Sequence, residues 1–266
     1  MDFGITGKRA LVTGGTRGIG YAIAWELARE GVDVALCARD ESAAHEAAAE
    51  IAAGTGVRVV GFRADTGIAE DVMRLVADAA DTLGGLDILV NNAARVGFAG
   101  GPDTLTQLNE EMLRDDFAVK IMGYLRCAQQ AAPHMERAGW GRIVNMDGMA
   151  ARNAAGISGG LRNAAVMNFT KVMSEELGPK GITVNAVHPA VSRTEALVER
   201  LERTAEREGI TLAEAEQRAA SSNAIRRLVT VEEIASVVVF LCSEQAGCIT
   251  GEAVAPAGGN SRAVFY

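Results

Sequence analysis

The feature that most constrains the fold is a glycine run, Thr13-Gly-Gly-Thr-Arg-Gly-Ile-Gly20, set directly after the apolar run Ala10 to Thr13. A strand that ends in a glycine-rich turn and leads into a helix opens a βαβ unit. The alternation continues down the chain. Apolar runs lie at Val32 to Cys37, Val57 to Phe62, Leu86 to Val90, Arg142 to Met146 and Ile182 to Val187, with helical stretches between them. Each run is apolar on both faces, which suits a parallel sheet covered by helices on each side and joined by right-handed crossovers. The expected class is therefore α/β, a doubly wound parallel sheet. With 266 residues and 48% hydrophobic content the chain can bury one full core, and no Pro- or Ser-rich linker divides it. Residues 1–266 read as a single domain.

Net charge is −8 and the basic residues are scattered, which argues against a nucleic-acid stripe or a polybasic membrane patch and for a small-molecule partner. Cys37, Cys127, Cys242 and Cys248 have neither CxxC nor Cys/His spacing, so no zinc site or disulfide framework is expected and all four read as buried thiols. The N-terminus enters a strand without a charged n-region and long apolar h-region, and no apolar run reaches membrane-spanning length. A cytoplasmic protein is the expectation. Thr211-Leu-Ala-Glu214 and Thr230-Val-Glu-Glu233 are capping-box patterns that predict helix starts. The Glu- and Arg-rich segment 194–220, with Leu197, Val198 and Leu201 at helical spacing, predicts a helical pair, either a lid over the pocket or plain solvated helices.

Gly14, Gly18 and Gly20 have the spacing TGxxxGxG, which lets backbone approach a pyrophosphate while the following helix turns its N-terminus toward the charge. Gly14, Thr16, Arg17, Gly18, Ile19 and Gly20 form the candidate dinucleotide cradle of a Rossmann-type sheet. The second strand closes on Cys37-Ala38-Arg39 and lacks the acidic residue that would accept bonds from a ribose 2′-hydroxyl. Arg39 and Arg17 offer two guanidinium groups to a 2′-phosphate instead, which favours NADP(H) over NAD(H); the bland alternative is two solvated arginines.

Four further landmarks follow in order: Asp65 in RADTG, the turn Asn91-Asn92-Ala93-Ala94, GRIVN at Gly141, and GITVNAVHPAVSRTE at Gly181. From about Ile5 to Gly259 the chain resembles the short-chain dehydrogenase/reductase family. The resemblance implies that Asp65 lies near adenine, that Asn91 and Ala93 support the sheet and cofactor, and that Pro189 and Thr194 meet the nicotinamide. It also implies a homodimer or homotetramer, with the long helices Glu110 to Met135 and Ile157 to Leu177 packing subunits together.

In the resembled family a tyrosine handles the substrate proton, a lysine one turn later lowers its pKa, a serine orients the carbonyl and an asparagine holds a relay water. Anchored on GRIVN, the serine position falls on Gly148, the tyrosine on Leu161, the lysine on Ala165 and the asparagine on Lys120. The chain has only Tyr21, Tyr124 and Tyr266, and none lies between Gly141 and Pro189, so no register shift restores the pair. A positioned general acid contributes about 10²- to 10⁴-fold of accelerations that span about 10⁶ to 10¹⁷. Hydride transfer thus survives its loss if orientation remains and another donor serves.

Three residues are candidate catalytic groups. Lys120 puts a cation on the helix facing the Ala165 position, where desolvation would bring its pKa toward proton-transfer range; the alternative is a lysine reaching for solvent. Asp147 ends the fifth strand at the edge where ligands bind, as a partner for Lys120, a base, or a simple turn residue. Ser158 offers a hydroxyl near the pocket or a helix cap. Arg162 is a weaker candidate for an acidic substrate group, and His188 reads as a backbone-bonded loop histidine. Three functions remain open at this point: an NADP(H)-dependent oxidoreductase on a small carbonyl, enone or alcohol with a rewired proton relay; a non-redox isomerase, dehydratase or cyclase; and a catalytically silent subunit partnering an active relative.

Overall fold

The computed structural model describes residues 2–94, 105–106, 108, 110–153 and 156–260. Seven parallel strands form one sheet in the order β3-β2-β1-β4-β5-β6-β9, built from β1 (Arg9–Thr13), β2 (Asp33–Ala38), β3 (Val59–Arg63), β4 (Ile88–Asn91), β5 (Gly141–Met146), β6 (Ile182–Val187) and β9 (Ala253–Val254). Strand residues alternate between two cores. Val12, Leu36, Val90 and Val144 face α1 (Gly18–Arg29), α2 (Glu41–Thr55) and α9 (Val231–Cys242). Leu11, Ala35, Leu89 and Ile143 face α3 (Ala69–Leu83) and α5 (Gly123–Ala138) on the opposite side. The strand order reverses between β1 and β4, which opens a crevice at their carboxyl ends, the place where such sheets bind ligands.

The expected six strands are all present, displaced by at most two residues at an end. The seventh, β9, and the two-residue pair β7 (Ser192–Arg193) and β8 (Val229–Thr230) were not expected, since two residues carry no readable period. The segment 194–220 is a helical pair, α7 (Glu195–Glu208) and α8 (Leu212–Ala219), joined through Leu197, Leu201, Ala205 and Ala215. Both expected capping boxes form, at Thr211 with Glu214 and at Thr230 with Glu233.

One expected helix is not continuous. Glu110 to Met135 divides into α4 (Glu110–Phe117), a π-helical turn over Ala118–Met122, and α5. The widened turn precedes Gly123, where a Cβ would come within 2.8 Å of the Thr66 carbonyl oxygen, so the helix lies close against the loop after β3. By contrast α6 (Ile157–Leu177) runs unbroken as expected. Cys37, Cys127 and Cys242 are buried but Cys248 is exposed, a correction to the expectation of four buried thiols. No group of three metal-ligating side chains occurs among the described residues. No helix among them is long and apolar enough to cross a membrane.

Candidate active site

The glycine turn is closed by contact with the turn after β4. A Cβ at Gly20 would sit 2.1 Å from the Gly14 carbonyl oxygen and 2.4 Å from Asn92 Nδ2, so only a hydrogen fits there. Asn92 Nδ2 donates to the carbonyls of Thr13 and Gly14, each at 3.0 Å. Thr13 Oγ1 accepts from the backbone N–H of Asn92 at 2.9 Å and of Ala93 at 3.0 Å. Gly14 and Gly18 hold φ of +67° and +56°, backbone that glycine adopts without strain. The helix α1 begins with Arg17 as an extended N-cap that makes no side-chain cap bond, and its first turn has no acidic residue. Its opening amides therefore face outward unopposed, the arrangement that receives a pyrophosphate. Thr16 and Ile19 are half-buried beside this turn, while Arg17 and Arg39 are exposed.

The other sequence-assigned cradle residues divide by role. Asp65 Oδ1 accepts from Gly67 N–H at 2.9 Å and shapes the loop after β3. Asn91 is fully buried, and its Nδ2 donates to Asn145 Oδ1 at 2.9 Å and to the Tyr124 carbonyl at 3.3 Å, so it braces β4 from beneath. The residue that grips the glycine turn is its neighbour Asn92. Thr194 caps α7 by accepting from Leu197 N–H at 3.2 Å, and its Cγ2 lies 3.5 Å from the position of a Gly18 Cβ. The loop that leaves β6 through Pro189 thus ends against the glycine turn.

The π-helical turn carries Lys120 into a buried corner at the carboxyl ends of β5 and β6. Lys120 Nζ lies 3.8 Å from Asp147 Oδ1, with side-chain exposures of 5% and 0%. Burial pulls the Lys120 ammonium down to about 8, against the attraction of Asp147, with Arg162 lowering it further and Asp116 raising it. Burial pushes the Asp147 carboxyl up, opposed by the neighbouring His188 imidazole and by the Lys120 charge. His188 is backbone-bonded as the sequence suggests, its N–H donating to the Val254 carbonyl at 2.8 Å, and its ring in addition faces the carboxylate, with Nδ1 3.2 Å from Asp147 Oδ2.

Ser158 and Arg162 converge on Asp116, which sequence reading missed. Ser158 Oγ donates to Asp116 Oδ2 at 2.5 Å, and Arg162 Nη1 lies 2.7 and 2.6 Å from the two carboxylate oxygens. Ser158 is not the helix cap; Gly156 occupies that position. The only hint in the sequence was Asp116 standing one turn before Lys120. At the serine position, a Cβ on Gly148 would meet Asn163 Nδ2 at 2.9 Å, and that amide donates to the Gly148 carbonyl at 3.3 Å. Leu161, at the tyrosine position, is 50% exposed. Tyr124 provides no substitute acid, because its hydroxyl donates to the Met146 carbonyl at 2.9 Å and burial holds it well above the usual phenol range.

Among the described residues nine buried side-chain nitrogen or oxygen atoms lack a hydrogen-bond partner, and seven of them belong to Asn91, Asp147, Arg162, Asn163 and His188. Buried polar atoms are ordinarily satisfied, so their concentration on one sheet edge marks a place whose polarity serves something other than folding.

Residues 14–261 match the family model described as enoyl-(acyl carrier protein) reductase. The chain is 36% identical over 251 residues to the short-chain reductase protein NovJ of Streptomyces niveus, covering 94% of this chain and 92% of that protein. The chain belongs to the short-chain dehydrogenase/reductase family. Another relative in this oxidoreductase family is the 3-oxoacyl-(acyl-carrier-protein) reductase FabG of Aquifex aeolicus, 33% identical over 97% of this chain and 99% of that one. Among solved structures of the family, L-sorbose reductase from Gluconobacter frateurii, complexed with NADPH and L-sorbose, superposes with a TM-score of 0.93 at 31% identity, covering 99% of this chain and 100% of that one. A second, the NADPH-dependent reductase YwfH involved in bacilysin biosynthesis, gives 0.86 at 28% identity over 97% and 99%.

Proposed function

We propose that this protein is an NADP(H)-dependent oxidoreductase acting on a small carbonyl, enone or alcohol, with Lys120 as its proton-handling group. The observation that carries the reading is a buried lysine set against Asp147 at the ligand-binding edge of the sheet, its amine brought to about 8. The outward amides of α1 and the glycine-only contact at Gly20 fit a pyrophosphate. Arg17 and Arg39 would hold the 2′-phosphate, Asp65 the adenine end, and Pro189 with Thr194 the nicotinamide end. When bound, the dinucleotide supplies or accepts the hydride. Near neutral pH Lys120 is mostly protonated yet gives up its proton readily, so it donates to the carbonyl oxygen in reduction and, as the free amine, takes the hydroxyl proton in oxidation. Asp147 supplies the counter-charge that keeps the ammonium in the interior. The pair α7 and α8 serves as the lid over this crevice, and the working form is a homodimer or homotetramer.

The experiment is a panel of ketones, enones and alcohols followed by NADPH absorbance, with dinucleotide binding measured alongside. Substrate-dependent turnover is expected; bound NADPH without turnover on any substrate contradicts the reading. Product formed with no change in NADPH would point to non-redox chemistry on the same scaffold. A second reading, a catalytically silent subunit, is favoured by one observation: Asn163 closes the serine position at Gly148. It requires co-purification with a relative carrying the family's serine, tyrosine and lysine, and turnover by the isolated chain would exclude it.

A further inference from the structure

We propose that His188 is the positioning residue of this corner, holding the Asp147 carboxylate so that one oxygen faces the imidazole and the other faces Lys120. The inference rests on the reading that Lys120 handles a proton, but its structural part is separable from it. The parallel pairing of β5 and β6 runs to Met146 opposite Val187, which places Asp147 and His188 side by side as the next residues. Both backbones are pinned: Asp147 N–H donates to the Val187 carbonyl at 2.7 Å, and His188 N–H to the Val254 carbonyl at 2.8 Å. The side chains therefore meet on one face of the sheet edge, with His188 Nδ1 at 3.2 Å from Oδ2 and Lys120 Nζ at 3.8 Å from Oδ1.

A buried carboxylate with one distant ammonium is poorly compensated, and burial alone would drive it to take up a proton. His188 Nδ1 stands nearer to the carboxylate than the ammonium does, without the alignment of a made hydrogen bond, and a proton there points its dipole at Oδ2 and so favours the ionised form opposite Lys120. Of the other groups packed around Asp147, Arg162 adds a smaller favourable charge and none stands as its nearest polar neighbour in place of His188. Arg162 and Ser158 are engaged with Asp116, the Tyr124 hydroxyl is spent on Met146, and Arg152 Nη2 donates to the Ala253 carbonyl on the neighbouring strand. An imidazole present only for packing would need no particular tautomer. The positioning role requires the proton on Nδ1.

The chain has four lysines and three histidines, few enough for both side chains to be resolved by isotope-edited NMR. The test titrates Lys120 with ¹³C-labelled lysine in the wild type, in His188→Leu, and in His188→Asn, whose amide nitrogen stands where Nδ1 stood. The leucine variant should lower the Lys120 titration midpoint by about 1 pH unit through loss of an ionised partner, and the asparagine variant should restore it. An unchanged midpoint in His188→Leu, or an asparagine variant that behaves like leucine, would overturn the proposal. If His188→Leu does not fold, the ¹⁵N-histidine spectrum of the wild type decides. A proton on Nδ1 supports the role, and a neutral ring protonated only on Nε2 refutes it. Where the amine midpoint moves but the pH profile of turnover does not, His188 keeps its role and the assignment of Lys120 as proton donor falls.

Discussion

Replacing Gly20 by alanine sets a methyl group 2.1 Å from the Gly14 carbonyl oxygen and 2.4 Å from Asn92 Nδ2. Ordinary contact begins near 3.4 Å, so the glycine turn and the Asn92 amide must separate by about 1 Å. The movement breaks the two 3.0 Å bonds from Asn92 to Thr13 and Gly14. At about 0.5–1.5 kcal/mol each, their loss costs about 1–3 kcal/mol of the geometry that presents the α1 amides. If that cost falls on the bound form, the NADPH dissociation constant rises by about 5- to 150-fold. Calorimetric or fluorescence titration with NADPH measures it, and a thermal melt separates a misplaced turn from a lost fold. Gly178→Ala serves as the control, since nothing lies within 4 Å of its would-be Cβ and its φ is an ordinary helical −54°. A folded Gly20→Ala protein that binds NADPH within twofold of wild type would refute the argument that this turn is the cradle.

Other consequences are as direct. Exchanging Arg39 for glutamate should move the NADP(H)-to-NAD(H) affinity ratio toward NAD(H) by about tenfold or more, read by paired titrations; an unchanged ratio would show that Arg39 is merely solvated. Restoring the family's side chains with Gly148→Ser should destabilise the protein, because the new Cβ meets Asn163, and adding Asn163→Ala should relieve most of that loss in a thermal melt. Lys120 carries a sign-definite pH dependence. Between about 8 and the ordinary lysine value of 10.5 the unfolded chain holds a proton that the folded chain has released, so its contribution to stability rises with pH across that window. Urea unfolding at about pH 7 and about pH 9.5 should show wild type gaining on Lys120→Met, and parallel curves would contradict the buried amine.

The sheet was legible because its chemistry is local. Apolar runs of five or six residues such as Ile182–Val187 declare a covered strand, and the threonine and glutamate three apart at Thr230 and Glu233 declare a helix start. The short β9 was not legible, since its two residues become a strand only when β6 offers an edge. The glycine cradle could be read from spacing, yet its clamp could not, because the grip of Asn92 on Gly14 depends on two turns 78 residues apart meeting at the switch point. The charged corner was read only in part. Lys120 and Asp147 read as a pair from the sequence, but the approach of His188 to Asp147 does not, because the register of β5 against β6, which sets the two side by side, leaves no trace in either segment alone. The π-helical turn that turns Lys120 inward was hidden for a similar reason. Its sequence, Ala118–Met122, is ordinary helix material, and the loop after β3 that lies against it is distant in the chain.

The most direct test of Lys120 as the proton donor is the pH dependence of NADPH-driven carbonyl reduction by wild type and Lys120→Met, with NADPH affinity measured in both. The wild-type rate should fall as the pH rises through about 8, where the ammonium is lost. The methionine variant should bind NADPH as before and lose about 10²- to 10⁴-fold in rate, with no such fall. A methionine variant that turns over at the wild-type rate with the same pH profile would contradict the account.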